Sequence, residues 1–97
     1  MPQDVEAMFG WLLQEDYARA FSLSWRMMAD KGLALQDILS KLVEFVVLLE
    51  AKDKLSKARL VASLADVEHR LSVGTCDKVQ LAGVVGLFHS ARAGLVG

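Results

Sequence analysis

The sequence predicts an all-α fold, a compact domain of five helices in antiparallel or orthogonal packing. Three observations lead there. The only proline, Pro2, stands at the start of the chain, so no interior segment carries that helix breaker. Apolar residues recur three and four positions apart in successive blocks, which is the spacing of one buried helix face. Short stretches between the blocks hold Asp16, Gly32, Asp53, Gly74 and Thr75, residue types that begin or end helices.

The first helix is expected from about Gln3 to Gln14, with Val5, Met8, Phe9, Leu12 and Leu13 on one face. Asp4 and Glu6 fall in its first turn, where carboxylates complement the positive end of the helix dipole. Asp16 caps a second helix, along which Tyr17, Phe21, Trp25 and Met28 recur, and Gly32 supplies the left-handed residue that ends it. A third helix runs from about Leu35 to Glu50. Its residues Ile38, Leu39, Leu42, Val43, Phe45, Val46, Val47, Leu48 and Leu49 leave little polar face, so it is expected to be the central, most buried helix. The β-branched run inside it resembles a strand, but its length and the lack of flanking turn residues favour a helix.

Asp53 caps a fourth helix, about Lys54 to Val73, with the stripe Leu60, Leu64, Val67 and Leu71, and Gly74 follows as its stop. Thr75 is the expected cap of a fifth helix, which has Asp77 in its first turn and Leu81, Val84, Val85 and Phe88 on its face. Gly83 and Gly86 interrupt that helix at about 1 kcal/mol each relative to alanine, which predicts close approach by a neighbouring element. Trp11 and Trp25 both lie on apolar faces and are expected in the core. The connections are short, as for helices packed against their sequence neighbours, and no motif repeats as it would in a solenoid.

With 97 residues, 54% hydrophobic and 24% charged, residues 1–97 form a single globular domain rather than a disordered segment. The formal charge of −1 provides no overall field toward nucleic acid or an anionic membrane. A single cysteine cannot form an internal disulfide, which fits a reducing compartment, nucleus or cytosol. The apolar runs fall short of the roughly 20 residues a bilayer requires, so no membrane association is expected. The segment from Met1 to Glu6 has no basic region and does not read as a signal peptide.

Charge is unevenly placed. Residues 1–50 carry eight acids and four bases (−4), whereas residues 51–97 carry four acids and seven bases (+3). Lys52, Lys54, Lys57 and Arg59 cluster at the start of the fourth helix. Two accounts fit this polarity: a solvated face, or head-to-tail assembly in which one copy's acidic side meets the next copy's basic side.

Motifs for chemistry are missing. The sequence contains no GxxxxGK[ST], GxGxxG, HExxH or CxxC segment. His69, Cys76 and His89 match no zinc spacing, and without a resolving cysteine Cys76 reads as a small residue at a turn. Asp66 and Glu68 lie two apart on a helix and cannot face each other as an acid–base pair. Glu68 and Arg70 are equally ill-spaced, which leaves Arg70 to reach another helix or chain. The basic cluster lacks the interleaved aromatics of a single-strand nucleic-acid site, and the fifth helix is too apolar to read DNA. No catalytic, nucleotide-binding or metal residue is assigned. The residues describe an interaction module, and Val84, Leu87, Phe88 and Arg92 on the last helix, with Arg70 and Lys78, are the candidate interface residues.

The run from Ala65 through Asp66, Val67, Glu68, His69, Arg70, Leu71, Ser72, Val73, Gly74, Thr75, Cys76, Asp77, Lys78, Val79 and Gln80 to Leu81 resembles the last third of a replication factor C small subunit. There an A-D-[IV]-E-x-R-L-S-x-G segment precedes an acid, a lysine, an aliphatic residue, a glutamine and a leucine. Lys31 to Leu39 resembles the family's K-G-x-A-L-x-D-I segment, and Leu12 to Phe21 the start of its second collar helix. The resemblance is collinear over nearly the whole chain, with departures at Gly83, Gly86, Cys76 and the lysine-rich connection at 51–57.

The resemblance implies a five-helix collar domain, the oligomerisation part of a sliding-clamp loader subunit of the AAA+ class. It implies a fragment of a longer subunit, with Met1 added to it, whose missing modules would bind ATP and magnesium and contact the sliding clamp and primer–template DNA. Partners would be the other replication factor C subunits, self-association of the isolated domain is allowed for, and the location would be the nucleus, or the cytosol of an archaeon. The competing reading is a free-standing helical adaptor that binds a partner helix in a groove.

Overall fold

The computed structural model describes residues 2–96; Met1 and Gly97, and with Met1 the expectation that it was added, lie outside the described residues. Five helices follow one another: α1 (Pro2–Gln14), α2 (Tyr17–Lys31), α3 (Leu35–Leu48), α4 (Lys54–Ser72) and α5 (Asp77–Leu95). No strand occurs among the described residues. None of the helices described is long and apolar enough to cross a membrane.

The expected caps of α2 form. The Asp16 carboxylate accepts from the Arg19 amide at 2.8 Å, and Gly32 ends the helix in the left-handed region at φ +66°, where a side chain would be strained. Asp53 caps α4 as expected, accepting from the Leu55 amide at 3.2 Å. At α5 the expectation fails: the N-cap is Cys76 rather than Thr75, and no side chain caps it. Asp77, instead of serving only its own helix, accepts a long hydrogen bond (3.5 Å) from the Leu35 amide at the start of α3. The N-cap of that helix is Ala34, which has no side-chain acceptor of its own, so the tertiary contact replaces a local cap.

α3 also stops earlier than expected, at Leu48, because Leu49 turns extended and its carbonyl accepts from Lys57 Nζ at 2.9 Å. It is not the central helix. α5 packs against α1, α2 and α4, whereas α3 packs chiefly against α4 and α1. Only the face of Leu35, Ile38, Leu39, Leu42 and Val46 is covered, while Val47 and Leu48 are 50% and 80% exposed. A rim helix can bury one stripe only, whatever its composition. Phe9 of α1 joins the layers: its ring lies 5.5 Å from Phe45 and makes a T-shaped contact at 6.0 Å with Phe88 of α5.

The aromatic stripe of α2 lies at the margin of the core. Ala20, Ser24, Met27 and Met28 form the buried face, and Phe21 stacks on Trp25 beside it at 6.5 Å. Both tryptophans are half-buried against the core edge rather than inside it. The close approach expected at Gly83 and Gly86 of α5 does not occur there. A Cβ at Gly83 would meet open space, and one at Gly86 only the Tyr17 ring at 3.8 Å. The close approach is at Gly94, where a Cβ would collide with the Ser56 side chain on the first turn of α4.

Candidate interaction surface

α4 and α5 run antiparallel. At one end the Asp53 amide donates to the Gly94 carbonyl at 2.7 Å, and at the other Arg70 Nη1 donates to Gln80 Oε1 at 3.4 Å. Each helix turns an apolar stripe inward: Leu60, Leu64 and Val67 from α4, and Leu81, Val84, Val85, Phe88 and Leu95 from α5. Beside those stripes the outer faces meet along a shallow groove. Near the start of α4 it opens into a depression of 230 Å³ lined by Ser56, Arg59, Leu60, Ser63, Leu87, Ser90 and Ala91. Further along, Ser63 and Leu87 are shared with a second depression of 220 Å³ that adds Asp66, Val67, Arg70 and Gly83.

The candidate interface residues part company here. Leu87 and Arg70 are brought together in this groove. Val84 and Phe88 are not on it: both are 0% exposed, covered by the chain's own core, because α5 is the central helix and its inward stripe is spent on α1, α2 and α4. Arg92 points inward, where Nη2 donates to the carbonyl oxygens of Leu12 at 2.8 Å and Glu15 at 2.6 Å and so caps the end of α1. Its Nε is buried without a hydrogen-bond partner. Lys78 lies elsewhere, with Nζ 5.8 Å from the centre of the Trp25 ring.

Arg59 belongs to the basic cluster singled out in the sequence, whereas Ser56, Ser63 and Ser90 were missed, although the sequence carried a signal. Ser56, Arg59, Ser63, Asp66 and Arg70 recur at three- and four-residue spacing, a second stripe of α4 beside the apolar one. Gly83, Leu87, Ser90 and Ala91 do the same on α5. These small and hydroxyl-bearing side chains let another element approach closely, and two guanidinium groups set against one carboxylate make the lining net positive. The Asp53 carboxyl at the groove's end is held below its ordinary value, chiefly by the Ser56 hydroxyl donating at 2.7 Å and next by the Leu55 amide.

Among the described residues no three His, Cys, Asp or Glu side chains gather where they could hold a metal ion. Nor do the residues present fit a nucleotide. The sequence has no phosphate-binding loop, and the groove offers hydroxyls and guanidinium groups but neither a lysine nor a pair of carboxylates for a triphosphate and its magnesium.

Residues 1–86 match the family model of the replication factor C C-terminal domain. The chain is 40% identical over 92 residues to the probable replication factor C subunit 5 of Dictyostelium discoideum, covering 95% of this chain and 26% of that protein. It is 36% identical over 96 residues to replication factor C subunit 3 of Oryza sativa subsp. japonica, covering 99% of this chain and 26% of that protein. Against human replication factor C subunit 5 it is 33% identical over 92 residues, covering 95% of this chain and 27% of that protein. The chain thus spans about a quarter of the length of the relatives it matches.

Proposed function

The chain belongs to the replication factor C C-terminal domain family, and from that premise we propose that it is the oligomerisation domain, the collar, of one replication factor C small subunit. It holds that subunit in a heteropentameric, ATP-dependent loader that places the sliding clamp on primer–template DNA. ATP, magnesium, clamp and DNA contacts belong to other modules of the parent subunit, and the complex works in the nucleus. The observation that carries this reading is the family match over residues 1–86, in a chain whose described residues fold as five helices.

The test is co-expression of the parent subunit, with and without this domain, alongside the other subunits. With the domain, all five co-purify; without it, the truncated subunit is left out. A truncated subunit that entered the complex at normal affinity would overturn the reading.

A further inference from the structure

Resting on the collar reading, we infer that the α4–α5 groove seats a single helix of the neighbouring subunit, one that carries acidic side chains about three turns apart on either side of a small or apolar contact. The length fits. From Ser56 to Arg70 the groove follows α4 for about 21 Å, or roughly four helical turns at 1.5 Å per residue. The shape fits as well. Two antiparallel helices with small side chains along their seam form a furrow into which the ridge of a third helix packs, and Leu87 is the apolar side chain left half-exposed at its middle.

Charge selects the occupant. Arg59 and Arg70 stand at the two ends of the groove, eleven residues or about three turns apart, with Asp66 alone between them. A helix with carboxylates at that interval places one against each guanidinium, and the Ser63 and Ser90 hydroxyls can donate to the same oxygens. This chain's own first half bears eight acids against four bases, and a neighbouring domain with the same charge polarity would meet the two guanidinium groups with an acidic side. Leu48, 80% exposed at the α3–α4 corner beside Lys54 and Lys57, has no pair of guanidinium groups around it.

The experiment uses the 97-residue chain, tagged and co-expressed with the other replication factor C subunits of its organism. The variants are R59E, R70E and the double variant, with urea midpoints measured to establish that each folds. A photo-crosslinking residue replaces Ser90 in a separate sample. Wild type is expected to capture a neighbouring subunit with an affinity that falls as salt rises. The double variant should lose at least about tenfold, and the crosslink from position 90 should map to an acidic helix of the neighbour. Acid-to-lysine changes in that helix should restore binding to the double variant. If wild type binds and the folded double variant binds equally well, or if position 90 crosslinks to no helix of the neighbour, the groove assignment is wrong while the collar reading stands. If the wild-type chain captures no subunit at all, the collar reading fails, and the groove assignment with it.

Discussion

Gly94 lies so close to Ser56 that the two helices α4 and α5 touch without room for a methyl group between them, and the Gly94 carbonyl accepts from the Asp53 amide at 2.7 Å in the same contact. The junction fixes where α4 starts relative to the end of α5. Gly94→Ala gains about 1 kcal/mol of helix propensity but must push α4 away, at an overpacking cost of about 1–3 kcal/mol. The expected result is a lower urea midpoint with an unchanged m-value. An unchanged or raised midpoint would show that the contact yields easily.

Gly83 is the opposite case. Its Cβ position faces open space within an ordinary helical turn, so Gly83→Ala should stabilise the domain by about 1 kcal/mol and raise the thermal midpoint by roughly 4–8 °C. The two alanine substitutions on one helix are thus expected to move stability in opposite directions, which calorimetry checks directly.

Arg92 acts within the domain. Arg92→Met removes two charge-assisted hydrogen bonds to the last turn of α1 and leaves the Leu12 and Glu15 carbonyls without them. Relief of the unpartnered Nε offsets part of the loss, so a cost of about 2 kcal/mol is expected. Amide exchange should quicken at the α1–α2 junction. Subunit binding by the folded fraction should be unchanged, and weakened binding at full folding would return Arg92 to the interface.

Phe88→Ala should cost about 3–5 kcal/mol, a large share of the roughly 5–15 kcal/mol that holds such domains together. Circular dichroism should show the fold loosening in step with any loss of assembly. A Phe88→Ala protein with native stability and defective assembly would contradict its burial at 0% exposure.

The pH dependence at Asp53 has a definite sign. Hydrogen bonds from Ser56 and the Leu55 amide lower the folded-state pKa below the unfolded value, near 3.8. The contribution is therefore complete above about pH 4 and is lost as pH falls through the lower, folded value. Asp53→Ala should weaken the domain at pH 7 and flatten the fall in stability below pH 4. Parallel acid limbs in wild type and variant would rule this out.

Much of the fold was legible because helix periodicity is local. The stripe of Leu60, Leu64 and Val67 and the stripe of Leu81, Val84, Val85 and Phe88 are buried where their spacing put them, and Asp16, Gly32 and Asp53 end or begin helices as their chemistry requires. The site was half legible. Arg70 and Leu87, named as interface candidates, and Arg59, named in the basic cluster, line the groove, whereas the places of Ser63 and Ser90 on it depend on which faces α4 and α5 turn to each other.

By itself the sequence determined the number of helices, the inward stripes of α1, α4 and α5, and the family, since each depends on residues within a few turns of one another. The tertiary structure alone decided that α5 and not α3 lies at the centre, that Phe88 faces inward, and that Arg92 caps α1 across 80 residues of chain. Periodicity tells which side of a helix avoids water. It does not tell which partner covers that side, because that choice depends on how all five helices fill the available space at once, and on how far a long side chain such as arginine can reach.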